Sequence, residues 1–212
     1  MYRLINKNIK QLLEDIKKKD HIDLYIYICK SFEKRQSTTS EFKDIFRKFY
    51  RLNAARLSIN FCELYFSLLE KNRNNRKIDV RDITNSLYEL ESNSRGIHAV
   101  HFSFASKLAH TIDNTLPIYD SMISTFYFFP DIKTSWTKDR KIEEYMANYQ
   151  FLRSEYKRII RDNLLKQTMV QFRNKFGIGI EYSDVKLIDT LIWRYTALLK
   201  SGAIRNGQIQ YG

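Results

Sequence analysis

Two charged residues sit where charge is least expected. From His98 to Phe129 the chain reads HAVHFSFASKLAHTIDNTLPIYDSMISTFYFF. These 32 residues carry three charges, Lys107, Asp113 and Asp120, in a chain that is 28% charged overall. A stretch this apolar belongs in a core, where Lys and Asp are almost never fully buried unless paired or put to use. An ammonium and a carboxylate in such surroundings can do chemistry. A desolvated lysine with a lowered pKa is a nucleophile, and a nearby carboxylate steadies a developing cation or activates a water. The same two residues can equally be a buried structural ion pair, or Asp120 a plain helix cap.

Other constellations offer less. His98, His101 and His110 lack the clustered carboxylates or thiols that a metal site needs, so no metal is expected. There is no Gly-rich phosphate loop and no nucleophile elbow. Cys29 and Cys62 each fall inside an apolar helical pattern and read as buried thiols in a reducing compartment rather than as a disulfide or a nucleophile.

The order of residues around Lys107 carries a resemblance. Ser103 to Ala109 runs small-aromatic-small-x-Lys-x-Ala, and Leu116-Pro117-Ile118-Tyr119-Asp120 follows. This resembles the helix–hairpin–helix DNA glycosylases, whose hairpin reads Gly-aliphatic-Gly-x-Lys-x-Ala ahead of a Pro-aliphatic-Asp element at a helix start. Ser103 and Ala105 stand at the hairpin glycines, and Phe104 at the aliphatic residue between them. Lys107 stands at the Schiff-base lysine of the bifunctional members, and Asp120 at the essential aspartate.

The likeness covers about residues 98–125. It departs from the pattern in both glycines and in a Lys-to-Asp link more than one helical turn shorter. No four-cysteine cluster follows, which excludes the iron–sulfur subclass and leaves no cofactor expected. The resemblance implies an all-α, helix–hairpin–helix glycosylase-like domain spanning 1–212, in which DNA presents a flipped-out base. Phe102, Phe104, Tyr119 and Trp136 are the candidates to stack on that base, and Ser103 and Ala105 would meet its phosphates.

The elements that must hold these residues read as helices. Six glycines and two prolines in 212 residues are too few for an all-β chain. Apolar positions three and four apart mark helices over about 2–18, 40–50, 53–71, 80–92, 138–176 and 184–200. The short apolar segment 22–33 reads as a further, buried helix. Thr38 with Glu41 makes a capping box, Asp79 and Ser183 are caps, and 138–176 is expected to break near Asp162-Asn163. The central stretch reads as a helix over 97–112 with a tight turn at 102–105. A second helix over 117–128 would be opened by Pro117.

A net charge of +12 is spread along the chain, +7 over residues 1–100 and +5 over 101–212. Such a balance favours a polyanionic partner, nucleic acid first and an anionic membrane second, with DNA expected ahead of RNA. Candidate phosphate contacts are the stripe Lys43, Arg47, Arg51, the loop with Arg73, Arg76 and Lys77, and the stripe Arg153, Lys157, Arg161. No run is long enough to span a bilayer and no signal peptide is evident, so the expectation is a cytoplasmic protein without membrane contact. Two rivals share these features. One is a non-catalytic nucleic-acid-binding helical module, the other a helical protein–protein adaptor whose charge only aids solubility.

Overall fold

The computed structural model describes residues 1–55, 57–75, 77–92 and 96–204. These residues form eleven α-helices and no strand, so the fold is all-α. In chain order they are α1 Tyr2–Lys7, α2 Ile9–Asp15, α3 Leu24–Glu33, α4 Ser40–Phe49, α5 Ile59–Lys71, α6 Val80–Tyr88, α7 Phe102–Ile112, α8 Ser121–Phe126, α9 Lys138–Arg161, α10 Lys166–Phe176 and α11 Asp184–Lys200. One hydrophobic cluster draws on all of them, from Ile5 on α1 to Leu198 on α11. α11 is its axis, burying Leu187, Ile188, Leu191 and Ile192 on one stripe while packing against α8. No helix among the described residues is long and apolar enough to cross a membrane.

Polar caps set the starts where the sequence marks them. Asp79 accepts from Arg81 N–H at 2.7 Å to open α6, and Ser183 accepts from Lys186 N–H at 3.1 Å to open α11. The break between α9 and α10 falls at the expected place, where Asn163 adopts a positive φ of 56°. Gly177, at φ 62°, closes α10 in the left-handed conformation that glycine adopts without strain.

Several boundaries differ from the sequence reading. The helix expected over 2–18 is two, α1 and α2, parted at Asn8, and α6 ends at Tyr88 rather than 92. The cap of α4 is Thr39, one residue beyond Thr38, accepting from Phe42 N–H at 3.2 Å. α5 starts at Ile59 rather than 53, because Ser58 caps it through Phe61 N–H. α7 starts at Phe102 rather than 97. The preceding backbone is committed elsewhere, with Ser92 N–H bonded to Ile97 O at 2.7 Å. Pro117 does not open a helix. It holds an extended link, and Asp120 caps α8 three residues later.

The tight turn expected at 102–105 is instead the first turn of α7, with Phe104 and Ala105 N–H both bonded to His101 O.

Candidate functional site

Asp120 owes its position to buried polar tethers on the link between α7 and α8. His110 Nδ1 lies 2.6 Å from Leu116 O, an atom that can only accept, so Nδ1 carries the proton. Its Nε2 then accepts from Tyr25 OH at 2.9 Å. Tyr149 OH donates to Pro117 O at 3.0 Å, and Ser106 Oγ accepts from Tyr119 N–H at 3.0 Å. Three successive points of an extended link are thus fixed from α7 and α9. Asp120 follows at once and binds Met122 and Ile123 N–H through Oδ1 at 2.9 and 3.0 Å. Its Oδ2 takes no part in the cap.

Lys107 projects from the second turn of α7. Its Nζ donates to Tyr50 O at 3.3 Å and lies 5.3 Å from the centre of the Phe104 ring. It makes no direct ion pair with Asp120, although both line one cleft of about 780 Å³. This volume lies within the range of about 300–1,000 Å³ common for small-molecule sites. Burial pulls the Lys107 pKa down, and the Asp120 and Asp189 carboxylates only partly restore it.

The cleft walls are aromatic. Phe102 stacks on Tyr145 with centroids 5.0 Å apart, and Tyr119 meets both rings edge-on. Phe104 stacks on His101 at 5.4 Å. Burial lowers the His101 pKa to about 4, so its ring is neutral, with Nε2 2.7 Å from Ser92 Oγ.

Six of the residues singled out in the sequence therefore share this cleft with Arg51: Lys107, Asp120, Phe102, Phe104, Tyr119 and Ser103. The others lie elsewhere. Trp136 packs beneath the Arg140 guanidinium at 4.3 Å and does not line the cleft. Ala105 is fully buried and its N–H is spent on His101 O, so it has nothing to offer a phosphate.

The basic stripes also come apart. α4 ends at Phe49, and Arg51, at φ 57°, turns away to the cleft. Lys43 stays over the Phe66 ring, and Arg47 pairs with Asp44. Arg73 is a structural residue. It pairs with Glu70, covers the Phe32 ring at 4.1 Å and bonds Phe32 O and Ser37 Oγ. Arg76 lies outside the described residues, and Lys77 is exposed. Arg153 and Lys157 line a separate groove of about 340 Å³ that shares no residue with the cleft, and Arg161 pairs with Asp162.

Sequence reasoning missed the contribution of α11. Lys186 and Asp189 are both buried, their Nζ and Oδ2 2.8 Å apart, and both line the cleft. Burial is the largest influence on Lys186 and works against its charge, yet Asp189 together with Tyr182 and Tyr50 raises the amine pKa. Trp193 and Arg194 complete that wall. Arg51 and Arg194 lie 5.5 and 5.2 Å from the Trp193 ring, and Arg194 also pairs with Asp15 at 2.9 Å. The available signal was two opposite charges three apart on the apolar stripe of a capped helix.

The cleft thus combines two ammonium groups, the guanidinium groups of Arg51 and Arg194, four carboxylates (Asp20, Asp120, Asp131 and Asp189) and flat apolar walls. Among the described residues no group of three metal-ligating side chains occurs. The chemistry available is acid–base, electrostatic or amine-nucleophilic, acting on a flat guest. No family model matches this chain, and neither a curated protein nor a solved structure matches it.

Proposed function

We propose that this chain is a DNA-binding enzyme of the glycosylase type, which removes a base flipped out of the duplex. One observation carries the reading: Lys107 and Asp120, 13 residues apart, line a single aromatic cleft without pairing to each other. A purely structural pair in an apolar core would be expected in direct contact, because the mutual attraction is what offsets desolvation.

In this reading the base stacks against Phe104 and Tyr119. Asp120 Oδ2 stabilises the oxocarbenium-like sugar as the base departs, or takes a proton from the water that attacks C1′. Lys107, whose amine pKa burial lowers, can instead attack C1′ in its neutral form as the base leaves, and opening of the sugar ring then yields an imine. Arg51, exposed and lining the cleft, would meet a flanking phosphate.

The test is base release from duplexes carrying a panel of damaged and modified bases, with wild type and Asp120→Asn compared. Asparagine caps a helix as well as aspartate does, so α8 survives the change. Release should fall by a factor of about 100 or more, in line with the loss of one electrostatic or general-base group. Equal release by both proteins, or none from any duplex, removes the enzymatic reading. Salt-sensitive binding that persists in Asp120→Asn without any release would leave the non-catalytic nucleic-acid module in its place.

A further inference from the structure

Arg51 and Lys107 bring two cations without ion pairs to one part of the cleft. Arg51 is exposed, sits at φ 57° just beyond α4 and has no carboxylate against it among the described residues. Trp193 holds it at the cleft, the guanidinium lying 5.5 Å from the ring. Lys107 Nζ donates to Tyr50 O, so the amine sits against the peptide that links Tyr50 to Arg51. An ammonium carries three donors. Among the described residues Lys107 uses one of them, on a bond of 3.3 Å that is longer than most. Burial is the main cause that lowers the pKa of Lys107 and of Arg194, and the nearby Arg51 charge adds to both.

The carboxylates of the cleft do not answer these two cations. Asp189 is engaged with Lys186 at 2.8 Å, and Asp120 Oδ1 caps α8. Asp20 and Asp131 are exposed, where water and salt screen them. An anion arriving with a guest would relieve the repulsion between Arg51 and Lys107. The Phe104 ring lies 5.3 Å from Lys107 Nζ, so a flat group stacked on it brings any attached anion close to the amine. We propose that the cleft also binds a free nucleoside monophosphate, with its base on the aromatic wall and its phosphate on Arg51 and Lys107. A phosphate monoester carries a charge of about −1.5 to −2 at neutral pH, which two cations match better than they match the single charge of a diester. This rests on the base-binding reading above and adds a small-molecule ligand that would compete with DNA for the same cleft.

The experiment is calorimetric titration of the wild-type protein, without DNA. Titrants are 2′-deoxyadenosine and 2′-deoxycytidine, the 5′- and 3′-monophosphates of each, the methyl esters of those monophosphates, and inorganic phosphate. At least one monophosphate should bind about tenfold or more tightly than its nucleoside and than its singly charged methyl ester, a difference of about 1.4 kcal/mol. That advantage should shrink as pH falls below about 6, where the phosphate gains a proton. Arg51→Gln, at an exposed position, and Lys107→Met should each remove most of it. Arg153→Gln, at a cation outside the cleft, should leave it intact.

Equal binding of nucleosides and monophosphates, binding of none, or inorganic phosphate binding as tightly as the nucleotides overturns the assignment. So does an advantage that persists in Arg51→Gln or falls as far in Arg153→Gln. A phosphate advantage without base release from any duplex would sink the enzymatic reading and leave this one standing. Base release with no phosphate advantage would do the reverse.

Discussion

Single residues in and behind the cleft carry charge states that pH can interrogate. His110 is fully buried and neutral, its pKa driven down to about 3 by burial. An unfolded histidine titrates near 6.5. Between these values the unfolded chain holds the extra proton, so stability rises with pH through that window and is lost as pH falls from 6.5 toward 3. The urea midpoint of wild type should drop over this range, and His110→Gln should flatten part of the slope. An unchanged slope would mean that other groups govern acid unfolding.

Lys107 behaves in the same sense from a higher starting point. Its folded pKa lies below its unfolded one, so the charged amine is a cost at neutral pH that fades as pH rises. Lys107→Met should therefore raise the melting temperature at pH 7 by about 2 °C or more, since about 1 kcal/mol moves a chain of this size by about 2–4 °C. A lower melting temperature would show Lys107 to be a structural tether on Tyr50.

At the scale of elements, α11 is both a core helix and a wall of the cleft, and the two roles are separable. Lys186→Met alone leaves Asp189 buried without a counter-charge, a loss of about 3–5 kcal/mol in stability. Adding Asp189→Leu should recover most of it, which a double-mutant cycle in urea measures. Additive losses would mean the pair contributes by packing alone.

The same helix marks where sequence reading stops. Its cap at Ser183 and its stripe of Ile188, Leu191, Ile192, Tyr195 and Leu198 were legible, because periodicity and capping are local. The inward turn of Lys186 and Asp189 was not, because what covers that face, Tyr25 of α3, Phe49 of α4 and the helix α8, comes from far along the chain. Arg73 shows the converse. In the loop around it a run of charges reads as solvated, yet Phe32, Ser37 and Glu70 close around the guanidinium. The link before Asp120 was misread as helix for a related reason. Pro117 favours a first helical turn in isolation, whereas His110, Ser106 and Tyr149 hold the segment extended from three points. Lys107 and Asp120 stood out because charge within an apolar run is visible without any tertiary knowledge.

Across the whole molecule the +12 charge is not equivalent from site to site. Several cations are paired locally, so the net excess falls on the others. Arg47, Arg73, Arg81, Arg158 and Arg161 each lie against a carboxylate. Arg51 differs, since it is exposed, lines the cleft and makes no ion pair among the described residues. If a nucleic acid threads its backbone past this cleft, Arg51 meets a phosphate and releases a counterion, whereas Arg73 does not. The dependence of log Kobs on log salt for a short duplex with an abasic site should then weaken by about 0.9 in Arg51→Gln, the value for one phosphate contact on B-form DNA. Arg73→Gln should leave that slope as it is and lower the melting temperature instead, because its guanidinium holds three segments together. Equal changes of slope in both proteins would mean that the positive field acts diffusely, and that the duplex does not track the cleft that Lys107 and Asp120 line.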